Sequence, residues 1–188
     1  MRTEAKYTNT IYTIGHGNRK WEDILSALTE HRCKYLIDVR TVPRSKYNPD
    51  FNKETLETLC ARSSLSYVFM GDTIGGRPVG DEFYTSSGHV SYDAIKCSPK
   101  FTSGINRLVK ASQLDDSIFL MCSEADPREC HRTKLIGQSL KGHKIEVFHV
   151  DKDYSLRSQD EILSDITGNQ PDLFGEPSQT SFSRGKYK

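Results

Sequence analysis

The sequence predicts an α/β fold: a single open, mainly parallel five-stranded sheet with helices on both faces, Rossmann-like in layout. Three observations predict it. Short apolar runs alternate with segments of helical period along nearly the whole chain. The strand candidates are continuous apolar runs rather than apolar–polar alternations, as suits strands buried on both faces. At 188 residues the chain has one domain's length and enough side chains for a real core.

Taken in order, residues 1–10 are a polar, flexible lead-in to a single domain over 11–166. Residues 11–17 (IYTIGHG) form a short buried strand that ends on a glycine-flanked histidine. Trp21, Ile24, Leu25 and Leu28 share one face of a helix over 20–32. Residues 34–40 (KYLIDVR) are a second buried strand, and 41–51 a loop punctuated by Pro and Ser. Asn52 is the N-cap candidate of a helix carrying Leu56, Leu59 and Cys60. Residues 65–70 give a third strand, followed by the glycine-rich GDTIGGRPVG.

Residues 81–100 show no clear period and read as loop with a short helix. Phe101, Ile105 and Leu108 then mark a helix to about 112. Residues 117–121 (SIFLM) are the fourth strand, 127–142 the fourth helix and 144–150 (KIEVFHV) the fifth strand. Ser158 and Glu161 form a capping box ahead of Ile162, Leu163 and Ile166. The remainder, 167–188, is rich in Gly, Pro, Ser and charge and reads as a flexible tail.

A net charge of +1 and a pI near 7.7 carry no bulk basic footprint, so tight charge-driven nucleic-acid binding is not expected. A polar start without an apolar stretch, and apolar runs too short to span a bilayer, argue for a cytoplasmic chain without membrane contact. The five cysteines are then reduced thiols. Cys33, Cys60 and Cys97 read as structural.

In open α/β sheets ligands sit at the carboxyl ends of the strands. Here those ends carry His16, then Asp38 and Arg40, then Gly75, Gly76 and Arg77, then Cys122 and Glu124. The stretch ADPREC supplies a helix start, with Asp126 as N-cap and Pro127 at the first position. That puts Cys130, His131 and Arg132 on the first turns, where amide donors favour anions and lower thiol pKa. Glu124 is the strongest candidate, because an acid behind a buried strand is costly unless used or paired. The plainer alternatives are that Arg40 pairs with Glu124 and that both cysteines fill space. Cys122, Cys130, His131 and His16 do not have the spacing of a zinc ribbon or finger, so neither metal nor other cofactor is expected.

The motif set TIGHG, DVR, PRS, then Tyr67, the GG pair and CSEADPRECHR resembles the domain-of-unknown-function 488 family from about residue 11 to 150. The resemblance implies a compact α/β domain with marked positions Gly15, His16, Asp38, Arg40, Pro43, Ser45, Phe51, Tyr67, Gly75, Gly76, Cys122, Glu124, Cys130, His131 and Arg132. Gly17 stands where the family usually has serine. In the tail, Gln170, Pro171, Asp172, Leu173 and Phe174 resemble the Q-x-[SD]-L-F peptide by which bacterial repair and replication proteins dock on the β sliding clamp.

The expected function is therefore an enzyme acting on DNA, RNA or a nucleotide, hydrolase-like and recruited by the clamp. Arg40 and Arg132 would hold phosphate, with Ser45, Tyr67, Gly75, Gly76, Arg77 and Cys130 contributing to binding. Glu124 would be base or nucleophile and His131 or His16 the acid, with Asp38 and Cys122 as further catalytic candidates. The alternatives are a non-catalytic nucleic-acid or nucleotide-binding module and a cysteine-based sulfur-transfer or redox enzyme.

Overall fold

A computed structural model describes residues 9–168 and 180–188. The chain forms β1 (Thr10–Gly15), α1 (Trp21–Glu30), β2 (Cys33–Asp38), α2 (Lys53–Arg62), β3 (Ser66–Phe69), α3 (Gly71–Ile74) and β4 (His89–Ser91). Then follow α4 (Tyr92–Lys96), α5 (Pro99–Ala111), β5 (Ser117–Cys122), α6 (Gln138–Gly142), β6 (Glu146–Val150), β7 (Leu156–Ser158), α7 (Gln159–Thr167) and β8 (Phe182–Lys186).

The main sheet runs β3-β2-β5-β1-β6-β7. The five strands expected from the sequence are parallel, and β7 adds a sixth, antiparallel to β6 at the edge. Alternate residues of β5 feed two cores. Ile118, Leu120 and Cys122 face Phe101, Ile105 and Leu108 of α5 and Leu140 of α6. Phe119 and Met121 face Trp21, Ile24 and Leu28 of α1 and Leu56 and Cys60 of α2. Both faces are thus covered, as continuous apolar strands require. Among the described residues no helix is long and apolar enough to cross a membrane.

Four local expectations need correction. The short helix expected within 81–100 is α4, but that region also contains strand β4, and residues of the expected tail form β8, antiparallel to β4. Ser183 of β8 is buried, its hydroxyl accepting from Val90 N at 2.8 Å. The helix expected over 127–142 is not continuous. One 3-10 turn (Pro127–Glu129) is followed by extended backbone at Cys130, a π-helical turn (Arg132–Gly137) and then α6. Asp126 does cap its start, accepting from Arg128 N at 2.9 Å. The capping box of α7 is present as read. Asn52 precedes α2, but its side chain accepts from Ser45 N instead of the helix.

His149 fixes β6 to α7. Thr13 Oγ1 donates to its Nδ1 at 2.7 Å, and its Nε2 donates to Gln159 Oε1 at 2.7 Å. Burial first, then the charge of Arg132, depresses its pKa to about 3, against opposing help from Gln159 and Asp151, so the ring is neutral at neutral pH. A histidine whose folded pKa lies below its unfolded value binds its proton only on unfolding. Its stabilising effect is intact above about pH 6.5 and is lost as pH falls towards the folded value. At pH 5 this ring alone is expected to cost about 2 kcal/mol relative to pH 7.5. Urea unfolding at both pH values measures the loss, and a folded-state His149 titrating near 6.5 by NMR would contradict it.

Candidate functional site

Strand β5 lies between β1 and β2, so its carboxyl end is flanked by theirs. The ladder continues past the strands: His16 N donates to Cys122 O at 2.9 Å, Gly17 N to Ser123 O at 2.8 Å, and Val39 N to Met121 O at 3.1 Å. The backbones meet closely there. A β-carbon on Gly15 would lie 1.7 Å from the Glu124 carbonyl oxygen, so only glycine fits.

At the end of β5 four side chains converge. Cys122 Sγ donates to Glu124 Oε2 at 2.7 Å and Cys130 Sγ to the same oxygen at 3.3 Å. His131 Nδ1 lies 3.5 Å from Cys122 Sγ and 3.8 Å from Cys130 Sγ. The other ring nitrogen, Nε2, donates to Val39 O at 3.1 Å. Extended backbone at Cys130 (φ −110°, ψ 145°) interrupts the helix beside this cluster. The ligand atoms of Cys122, Glu124, Cys130 and His131 all fall within 4.8 Å of one another, a set that could hold a metal ion.

Electrostatics inside the cluster are divided. Burial alone would raise the Glu124 carboxyl, but the charge of His131 and hydrogen bonds from Cys122, Cys130 and its own backbone pull it down to about 2. Burial, the neighbouring Cys130 sulfur and the negative charge of Glu124 push the Cys122 thiol well up. Cys130 is also raised by burial, yet the adjoining Cys122 thiol, with Arg132 and His131, lowers it further than burial lifts it. Burial lowers His131, and the Cys130 sulfur and Glu124 more than restore it.

Beside the cluster lies a closed ionic unit. Arg40 donates Nε to Asp38 Oδ1 at 2.9 Å, Nη2 to Asp38 Oδ2 at 2.6 Å and Nη2 to Phe51 O at 2.7 Å. Tyr67 donates to Asp38 Oδ2 at 2.8 Å. Arg40 Nη1 donates to His16 Nε2 at 3.3 Å, the His16 Nδ1 proton goes to Gly17 O, and the ring stacks on Phe51 at 4.4 Å. Burial and then the charge of Arg40 hold His16 down at about 4. It is a neutral buried ring, not a proton donor facing the pocket. Arg40 pairs with Asp38, not Glu124. Arg132 is buried too: its Nη1 donates to the Glu124 carbonyl and its Nη2 to Ala125 O at 3.0 Å. It fixes the loop after β5 instead of reaching the pocket.

A cavity of about 340 Å³ opens above the cluster, with Cys122, Glu124 and His131 in its lining and Arg40 in its wall. Gly76 lines it because a side chain there would strike the His131 ring at 2.7 Å. Arg77 lies on its rim, its guanidinium stacked 4.0 Å from the Tyr187 ring. Of the expected residues, Ser45 and Tyr67 support the structure from outside: the Ser45 hydroxyl accepts from Asn48 N, and Tyr67 completes the Asp38 unit. Gly75 provides close packing against Gly71 and Thr41. Sequence reasoning missed Arg44, Tyr92, Glu129, Ser183, Arg184 and Tyr187, which line the same cavity. The basic and aromatic character of SRGKYK was the signal available for the last three. Gln170, Leu173 and Phe174 lie outside the described residues.

The family described as "Domain of unknown function DUF488" matches residues 20–138, a shorter span than the motifs had suggested. No curated protein and no solved structure matches the chain.

Proposed function

The chain belongs to the DUF488 family, and on that premise and the pocket's geometry we propose that it is an enzyme that hydrolyses a bond in a phosphate-bearing nucleotide or nucleic acid. One observation carries this reading. Arg44, Arg77 and Arg184, on three separate segments, surround a single cavity whose floor presents the Glu124 carboxylate. All three are exposed. Arg184 is paired with Glu129 and Arg77 is stacked on Tyr187, and Arg44 is exposed on the cavity's edge. Planar guanidinium groups suit phosphate oxygens. A cavity of this size is within the range of small-ligand sites.

In this reading phosphate rests on the rim and the susceptible bond lies over Glu124. The carboxylate stays charged at neutral pH and supports either an attacking water or positive charge developing on a sugar carbon. Cys122 and Cys130 hold that carboxylate by hydrogen bonds to Oε2. The peptide at 170–174 supports recruitment to DNA through the sliding clamp, which would supply affinity by tethering where net charge does not.

The test is turnover of nucleotides and short DNA and RNA by the full chain. Glu124→Gln is expected to lower the rate about 100-fold or more while binding persists. An unchanged rate refutes the role, and binding without turnover on every substrate favours a non-catalytic module. Loss of co-elution with a bacterial β clamp in Phe174→Ala tests the recruitment arm. A cysteine-based reading draws on the adjacency of Cys122 and Cys130, and it requires a thiol that alkylates well below pH 8.

A further inference from the structure

We infer that Cys122, Glu124, Cys130 and His131 form a metal centre for a divalent ion of the zinc class. The inference deepens the reading above and rests on it only for what would meet the metal's open side.

Donor geometry is the first argument. Zinc bonds of about 2.0–2.3 Å in a tetrahedron place donors about 3.3–3.8 Å apart. The distances here are 3.3 Å between Cys130 Sγ and Glu124 Oε2, 3.5 Å between Cys122 Sγ and His131 Nδ1, and 3.8 Å between Cys130 Sγ and His131 Nδ1. The 2.7 Å contact between Cys122 and Glu124 is shorter because a thiol proton bridges it. Removing that proton leaves two anionic donors that a cation would hold slightly farther apart. The two thiol protons, together with any proton on His131 Nδ1, leave to solvent as the ion enters, giving a ligand set of two thiolates, one carboxylate and one neutral imidazole.

The surroundings are those of a ligand shell. His131 donates its distal Nε2 proton to Val39 O, which fixes the ring and turns the Nδ1 lone pair towards the sulfurs. Gly76 packs against the ring so tightly that no side chain fits, which prevents rotation. Arg132 N donates to Cys130 Sγ at 3.4 Å, a bond that supports a thiolate. The break in the helix at Cys130 has a purpose in this arrangement, as it lets adjacent residues 130 and 131 both reach one point.

Donor type selects the ion. Two sulfurs and an imidazole discriminate against magnesium and calcium and favour zinc, with cobalt as its spectroscopic substitute. Cys122, Glu124 and His131 border the cavity, while Cys130 lies behind them, so the ion would sit in the cavity floor. Glu124 is the one member of the set that is not buried, and it is the ligand placed to yield to substrate or water.

The experiment uses the full reduced chain, stripped with a chelator and titrated with Co²⁺ alone. Uptake of one equivalent with the sulfur-to-cobalt absorption and visible bands of a tetrahedral site, both abolished by Zn²⁺, is expected. Cys122→Ser and Cys130→Ser should each weaken Zn²⁺ binding by on the order of 100-fold, and Cys97→Ser, at an exposed cysteine outside the set, should not. Absence of the cobalt bands in the folded parent protein overturns the proposal without reference to any variant. So does equal Zn²⁺ affinity in all three variants. Because no substrate is present, a bound metal with no nucleotide turnover refutes the proposed function alone, and turnover without metal uptake refutes the centre alone.

Discussion

Gly15→Ala is expected to abolish stable folding or lower it by more than about 4 kcal/mol, at the extreme of single-residue effects. The added methyl would lie 1.7 Å from Glu124 O and 2.4 Å from Arg132 Nη1. Neither neighbour can step aside. The carbonyl is backbone at the end of the central strand, held by the Arg132 side chain, and Arg132 is wholly buried. For a domain of this length each kcal/mol corresponds to about 2–4 °C in Tm, so a fall of at least about 8 °C is expected if the protein can be purified. Thermal unfolding followed by circular dichroism measures it, and a Tm within about 2 °C of the parent would show that the two backbones separate more easily than this geometry allows.

Asp38→Ala should cost about 3–5 kcal/mol. The Asp38 carboxylate is fully buried and accepts from the Arg40 backbone and guanidinium and from Tyr67. Removing it leaves the Arg40 charge with Phe51 O and the His16 ring as its hydrogen-bond partners among the described residues, so the penalty comes from the orphaned cation more than from the lost bonds. Asp38→Asn keeps the shape and part of the hydrogen bonding and should lose less. Urea denaturation of both variants supplies the comparison, and equal stability of parent and Asp38→Ala would mean that Arg40 finds water in place of its partner.

The sheet and the convergence of strand ends were legible because they follow from uninterrupted apolar runs. The continuous run Ile118 to Met121, lying between polar segments and alternating with helical ones, reads as a strand buried on both sides, and whatever follows such strands meets at one edge. Cys122, Glu124, Cys130 and His131 were found for that reason. Arg132 was misread because sequence cannot distinguish an arginine that faces solvent anions from one that turns inward to carbonyls. The break at Cys130 was hidden because Cys130, His131 and Thr133 disfavour helix only weakly and such residues are common inside helices, while tertiary contacts override propensity. Strand β8 escaped because Ser, Arg, Gly and Lys have little strand character alone, and its pairing with β4 joins residues about ninety positions apart. The closeness of Cys130 to Glu124 was not legible, because spacing along the chain does not reveal the turn that folds Cys130 back to within 3.3 Å of the Glu124 carboxylate.

Because β8 supplies Ser183 and Arg184, and Tyr187 follows it directly, the end of the chain is one wall of the cavity and not an appendage. Tyr187 N also donates to Gly88 O at 2.9 Å, tying that wall to the loop before β4. Removing residues 180–188 would therefore strip Ser183, Arg184 and Tyr187 from the very surface an assay is meant to probe.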